Sequence, residues 1–240
     1  MNAPRLINSK SFQHAWISTT QYLCQNGWES RNIVVHISDP TTLDRELHTT
    51  ITSFFREHQM LTPKAVAYTI FPHNFYRRLN NADILFDNYN RPHGMYDRLK
   101  TSWGTYFRRM TYYQTPKGPI NQLSNIISAI RYRKATHKAA YTILIQNPGG
   151  ETIRCCGSPC LNYLAVQLES GNQKILGLLA VYRNHDFLKK AYGNYWGLCN
   201  LLQFLAAETN YLPGPLTCIS SRAYIDNHKQ ALKILESTHE

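Results

Sequence analysis

The stretch LNYLAVQLESGNQKILGLLAVYR, residues 161–183, holds two apolar-rich runs of similar length, Leu161–Leu168 and Ile175–Arg183, on either side of Ser170-Gly171-Asn172. Two such runs joined across Ser-Gly-Asn signal a β-hairpin, because glycine and asparagine accept the backbone angles of a tight reversal. A helix follows from about residue 197 to 209, with Leu198, Leu201, Leu202 and Leu205 as its buried stripe. Asn210 and Pro213-Gly214 stop it.

Upstream, Asn32-Ile-Val-Val-His-Ile-Ser38 reads as a strand closed by Asp39-Pro40. Leu43, Leu47, Ile51, Phe54 and Phe55 then recur at helical spacing, and Ile120, Leu123, Ile126, Ile127 and Ile130 mark a second helix. That helix leads into an apolar strand, Tyr141–Ile145, which Pro148-Gly149-Gly150 ends. A strand around Leu216–Ile225 and a short terminal helix complete the pattern. Paired strands mixed with long helices, without regular βαβ alternation, predict an α+β fold with a large mixed β-sheet. No linker or repeat divides residues 1–240, so one domain is expected. Hydrophobic residues at 43% against 17% charged suit a globular chain that buries a sizeable core.

The longest apolar run, Ile175–Tyr182, is too short to span a bilayer. The opening MNAPRLINSKSFQHAW lacks the basic-then-apolar order of a secretory signal. A cytoplasmic protein with reduced thiols is the expectation. A formal charge of +11, with ten further histidines, calls for an anionic partner, either nucleic acid or a phosphorylated small molecule. The pairs Arg77-Arg78, Arg108-Arg109 and Lys189-Lys190 read singly as solvated faces. The 16 tyrosines keep open a basic, aromatic nucleic-acid surface, but no RNA- or DNA-binding motif accompanies them.

Three of the six cysteines fall in RCCGSPC, residues 154–160. Structural zinc sites usually draw on two ligand pairs, and the sequence has no second cluster, so the spacing disfavours a metal. Cys24, Cys155, Cys156, Cys199 and Cys218 suit the ordinary role of a small buried hydrophobe. Cys160 stands apart. It follows Gly157-Ser158-Pro159 and immediately precedes a strand, so a turn presents it. A nucleophilic thiol needs partial access and a nearby cation to favour the thiolate, and the hairpin could carry Arg183 back to it.

Taken in order, PCLNYLAVQL, LLAVYRNHDFLKKAYGNYWGLCNLLQFLA and SSRAYI resemble the thymidylate synthase and pyrimidine nucleotide hydroxymethylase family. Upstream, SWGTYFRR, INQLSNIISAI and HKAAYTILIQNP follow the family's order. The resemblance covers about residues 98–226 and is loose over the first hundred. It implies a thymidylate synthase-like fold and a homodimer. It also implies one-carbon transfer from 5,10-methylenetetrahydrofolate to C5 of a pyrimidine nucleotide monophosphate. In that family a cysteine thiolate adds to C6 of the base, and C5 then captures the one-carbon unit. By motif, Cys160 matches the nucleophile, Arg183 the phosphate-binding arginine beside the thiol, and Asp186 the aspartate of the pyrimidine site. Asn194 matches the amide that reads N3–H and O4 of uracil, and Tyr224 the tyrosine that hydrogen-bonds ribose. His137 and Lys138 stand where the family's partner subunit supplies two phosphate-binding arginines. Singly, Asp186 also reads as a partner of Lys189 or Lys190, Asn194 as a helix cap and Tyr224 as core. Their joint order favours the site.

The sequence departs from the family's pattern in several places. Leu161 follows the cysteine where histidine is commonest, and Trp103 stands where tyrosine precedes glycine. Asn184 replaces the serine after the phosphate arginine, and Arg222 replaces the histidine of the late His-x-Tyr. Both are still expected at the nucleotide, as a hydrogen-bond donor and a fixed cation. After Tyr224 most of the remaining chain, DNHKQALKILESTHE, reads as a helix, where long family members carry a lid. A site without that lid would admit water, which makes hydroxymethyl the expected product ahead of methyl, with Glu57 as one candidate base. The alternative reading is a nucleotide-binding protein of the same fold that has lost folate-dependent transfer.

Overall fold

The computed structural model describes residues 3–100, 103–132, 141–149 and 158–238. The first part of the chain forms β1 (Arg5–Ser9), α1 (Phe12–Gln25), β2 (Glu29–Ile37), α2 (Arg45–Glu57), α3 (Pro63–Ile70) and α4 (His73–Leu79). Next come α5 (Ala82–Asn90), α6 (Met95–Leu99), α7 (Tyr106–Thr111), β3 (Tyr113–Thr115), β4 (Gly118–Ile120), α8 (Gln122–Tyr132) and β5 (Thr142–Leu144). The hairpin β6 (Leu161–Ser170) and β7 (Lys174–Tyr182) leads to β8 (His185–Asp186) and a π-helical turn, Phe187–Ala191. Finally α9 (Tyr192–Thr209), β9 (Leu212–Tyr224) and α10 (His228–Ser237) close the chain.

Local chemistry sets many of the helix starts. Ser11, Asp44, Thr62, Asn81, Thr105 and Asn227 each accept a backbone N–H from the first turn of the helix they precede, satisfying a donor that the helix itself leaves orphaned. Pro63 occupies the first turn of α3, where its missing N–H costs nothing. Asn210 ends α9 in the left-handed conformation at φ 56°, which asparagine tolerates better than most residues.

The fold is α+β, built on a seven-stranded mixed sheet in the order β1-β2-β9-β7-β6-β5, with β8 paired to β9. β1 with β2 and β7 with β9 run parallel, each joined by a crossover carrying a helix (α1 and α9); the neighbouring pairs β2–β9, β6–β7 and β5–β6 run antiparallel. Alternation along the strands gives the sheet two unlike faces. The register aligns Ile7, Val35, Cys218, Ala180, Leu164 and Ile143 in one row across six strands, and all six are buried. One residue further on, the row Leu6, Val34, Ile219, Val181, Tyr163 and Leu144 faces the other way. Its middle four are half-buried, while Leu6 and Leu144 at the ends are 56% and 50% exposed.

Helix α9 lies against the buried face and is enclosed on nearly every side, so most of its residues are core. Gly193 and Gly197 present a Cβ-free stripe to α3. Trp16 of α1 donates its indole N–H to the Phe187 carbonyl at 2.6 Å, tying α1 to the π-helical turn. Among the described residues no helix is long and apolar enough to cross a membrane.

The expected elements appear with shifted ends. Leu43 precedes the cap of α2 and is exposed, and Ile120 lies in β4 and is exposed, not in α8. α9 begins at Tyr192, five residues before the expected start, so Asn194 sits inside the helix and does not cap it. The all-round burial of its first turn removes the one-sided stripe that marks a helix end.

Candidate functional site

Pairing of Leu161 with Tyr182 at the open end of the hairpin brings Cys160 and Arg183 side by side. Arg183 N–H donates to the Cys160 carbonyl at 2.9 Å, and its Nε donates to the Pro159 carbonyl at 3.1 Å. The guanidinium therefore braces the turn that carries the thiol. From the other side Tyr106, at the start of α7, places its phenol oxygen to accept the backbone N–H groups of Cys160 and Leu161 at 3.3 and 3.4 Å. Two contacts thus fix the backbone of Cys160 independently of its sulfur.

The half-buried thiol opens onto a cavity of about 420 Å³, within the range of small-molecule sites. Cys160, Asn184, Asp186, Asn194 and Tyr224 all line it, as do Ser158, Trp103 and Tyr106. Strand pairing explains part of this convergence: His185 aligns with Ala223 and Asp186 with Tyr224 between β8 and β9. The opposite wall is mostly apolar and comes largely from α3, with Leu61 before it and Arg98 of α6 at one side.

Asp186 caps the π-helical turn, accepting the Lys189 N–H at 2.9 Å, while the Lys189 ammonium pairs with Asp226. The expected partnership of Asp186 with Lys189 is thus a backbone cap. Lys190, one residue on, lines the cavity. The Asn184 side chain acts on the Tyr224 phenol, pulling its pKa down against the effect of burial. Arg222 donates to Asn184 Oδ1 at 3.1 Å and to Glu29 at 2.5 Å, and its guanidinium lies 4.4 Å from the Tyr224 ring centroid.

Burial is the leading electrostatic influence on the groups around the thiol. It pushes the Cys160 pKa up, with Arg183 and Lys190 pulling it down and Asp186 pushing it further up. Burial likewise raises Asp186 and Tyr224 and lowers Lys190. The cation expected beside the thiol is present, but burial outweighs it and holds the Cys160 pKa above its ordinary value. His185 is deeply buried and its pKa is lowered to about 3, so its imidazole is neutral.

Of the residues expected from sequence, Cys160, Asn184, Asp186, Asn194 and Tyr224 meet in the cavity. Arg183 and Arg222, expected at the nucleotide, are not among its lining residues: Arg183 braces the thiol turn, and Arg222 bonds Asn184 and packs on the Tyr224 ring. Glu57 ends α2, is exposed, and is not part of the lining. Cys199 and Cys218 are buried in the core and Cys24 is half-buried, in keeping with packing roles. His137, Lys138, Cys155 and Cys156 lie outside the described residues. Sequence reasoning missed Lys190, Arg98, Tyr106 and His185. Lys190 was hidden because the π-helical turn breaks the 3.6-residue period on which any facing argument depends.

The fold and the cavity define an α+β protein with a thiol, an amide, a carboxyl group and a phenol converging on one pocket. No family model matches the chain, and no curated protein matches it.

Proposed function

We propose that the cavity binds a pyrimidine nucleotide monophosphate and that Cys160 adds to C6 of the base, activating C5 for capture of a one-carbon unit, hydroxymethyl or methyl. One observation carries this reading. Five residues singled out by the thymidylate synthase resemblance, spread from Cys160 to Tyr224 and drawn from separate elements, line the same pocket. Cys160 is the nucleophile, Asn194 reads the base edge, Tyr224 with Asn184 holds the sugar, and Asp186 borders the pyrimidine. Lys190 joins them as a cation beside the thiol.

The lining also suits 5,10-methylenetetrahydrofolate as donor. Tyr68 and Trp103 add aromatic surface to the lining, suited to a flat heteroaromatic ring, and Arg98 adds charge suited to its carboxylates. When bound, the folate supplies the one-carbon unit, and the chain's own residues orient the base and hold the thiol against C6.

A homodimer completes the reading. The apolar row through Val34, Ile219, Val181 and Tyr163 leaves a sheet face only half-buried, and a second copy stacked on it would cover that surface.

The decisive experiment follows loss of the C5 proton of a uridine nucleotide into deuterated water by NMR. Cys160→Ser is expected to abolish exchange and Cys24→Ser to preserve it. Exchange at the wild-type rate by the Cys160→Ser chain would overturn the mechanism. Burial that raises the Cys160 pKa against the pull of Arg183 and Lys190 favours a second reading, a binding protein without transfer chemistry. Nucleotide-induced thermal stabilisation without C5 exchange would select it.

A further inference from the structure

Asn194 is 4% exposed, and the nitrogen end of its amide is already committed: Nδ2 lies 3.1 Å from Nε2 of His185. The His185 ring is held in turn on two sides. Its Nδ1 lies 2.9 Å from Ser220 Oγ on β9, and its face stacks on Tyr182 with ring centroids 4.1 Å apart and planes 2° from parallel. At 1% exposure the imidazole is neutral and carries a single N–H.

That single proton has a definite place. An amide nitrogen donates and cannot accept, so Nε2 facing Asn194 Nδ2 must be the acceptor. The ring proton is therefore on Nδ1, where it is donated to Ser220 Oγ. Asn194 is left with its oxygen and one remaining N–H for a ligand, led by the acceptor. Uracil presents a donor, N3–H, beside an acceptor, O4, and matches this pattern. Cytosine presents an acceptor, N3, beside a donor, N4–H₂, and does not. In the other tautomer the relay reverses: Ser220 donates to Nδ1, Nε2–H donates to Asn194 Oδ1, and the amide turns over to match cytosine.

We propose that His185 is a positioning residue that sets base specificity: in its Nδ1–H tautomer, with Ser220 as acceptor, it orients the Asn194 amide for 4-oxo over 4-amino pyrimidine nucleotides. This rests on the cavity being a pyrimidine nucleotide site, as proposed above. One mispaired buried hydrogen bond corresponds to discrimination on the order of 10- to 100-fold.

The test measures dissociation constants for dUMP and dCMP by calorimetry in wild type, His185→Phe and Ser220→Ala, with ¹⁵N NMR of the His185 ring. Wild type is expected to prefer dUMP on the order of 10- to 100-fold and to show the Nδ1–H tautomer. Ser220→Ala keeps the ring but removes the hydroxyl that serves Nδ1 in either tautomer, so the tautomer is no longer held and the dUMP preference shrinks. His185→Phe keeps the stack on Tyr182 and brings the two nucleotides toward equal affinity. A wild-type Nε2–H tautomer, or a dUMP preference unchanged in both variants, overturns the role of His185 alone. Failure of wild type to bind either nucleotide overturns the pyrimidine reading and this inference with it.

Discussion

Replacing Gly193 by alanine tests how closely α3 and α9 must approach to shape the cavity. A Cβ built at Gly193 would stand 2.6 Å from the Pro63 carbonyl oxygen and 2.6 Å from Val66 Cβ. Neither is the far end of a flexible side chain, so the helices themselves must part, by about 0.8 Å to recover the 3.4 Å of ordinary contact. Overpacking costs about 1–3 kcal/mol, and two rigid contacts at 2.6 Å place this case at about 2–3 kcal/mol. The better helix propensity of alanine returns at most about 1 kcal/mol. The net expectation is a loss of about 1–2 kcal/mol, and for a chain of this size a Tm lower by about 2–8 °C. Because Ala65, Val66, Tyr68 and Thr69 of α3 form one cavity wall, nucleotide affinity should fall with it. Thermal unfolding with and without dUMP gives both quantities. Gly171→Ala is the control, since a Cβ there meets nothing within 4 Å. A Gly193→Ala chain that melts with wild type and binds equally well would refute the close-packing argument.

Acid should destabilise the fold through its buried histidines. Burial lowers the pKa of His185 to about 3 and also depresses His48 and His73. The unfolded chain then takes up protons first, so this contribution is complete above about pH 6.5 and is lost as pH falls toward the folded value. His185 alone allows a slope of up to about 1.4 kcal/mol per pH unit. Urea unfolding of wild type and His185→Phe across that window measures it, and identical slopes would clear His185 as a cause. At the thiol, Arg183→Ala and Lys190→Ala should move the alkylation midpoint of Cys160 to higher pH, and Asp186→Asn to lower pH. Iodoacetamide rates across pH test that order, and a reversed order would refute the charge assignment. On the open sheet face, Ile219→Asp should convert a dimer to a monomer in light scattering. A wild-type monomer at the same concentration would remove the stacked-sheet interface.

What the sequence made legible follows from how each feature is encoded. A hairpin brings its two ends together, so reading 161–183 as one allowed Arg183 to return to Cys160, and their backbones hydrogen-bond at 2.9 Å. Nothing in the alternation of a strand, however, reports the direction of a guanidinium, and Arg183 turns to the Pro159 carbonyl and braces the thiol turn. The first hundred residues were harder because α3 to α6 are short, and their helical identity rests on single capping residues such as Thr62 and Asn81. Those same helices supply Tyr68 and Arg98 to the cavity, so an incomplete reading of the fold became an incomplete reading of the site. Lys189 and Lys190 show the limit most directly. As adjacent lysines they are equivalent in sequence, yet one pairs with Asp226 and the other lines the cavity. The difference is made by one π-helical turn, itself capped by Asp186 and tied to Trp16 far away in the chain. A long-range contact thus decides which cation stands near the thiol, and no local pattern around either lysine carries that information.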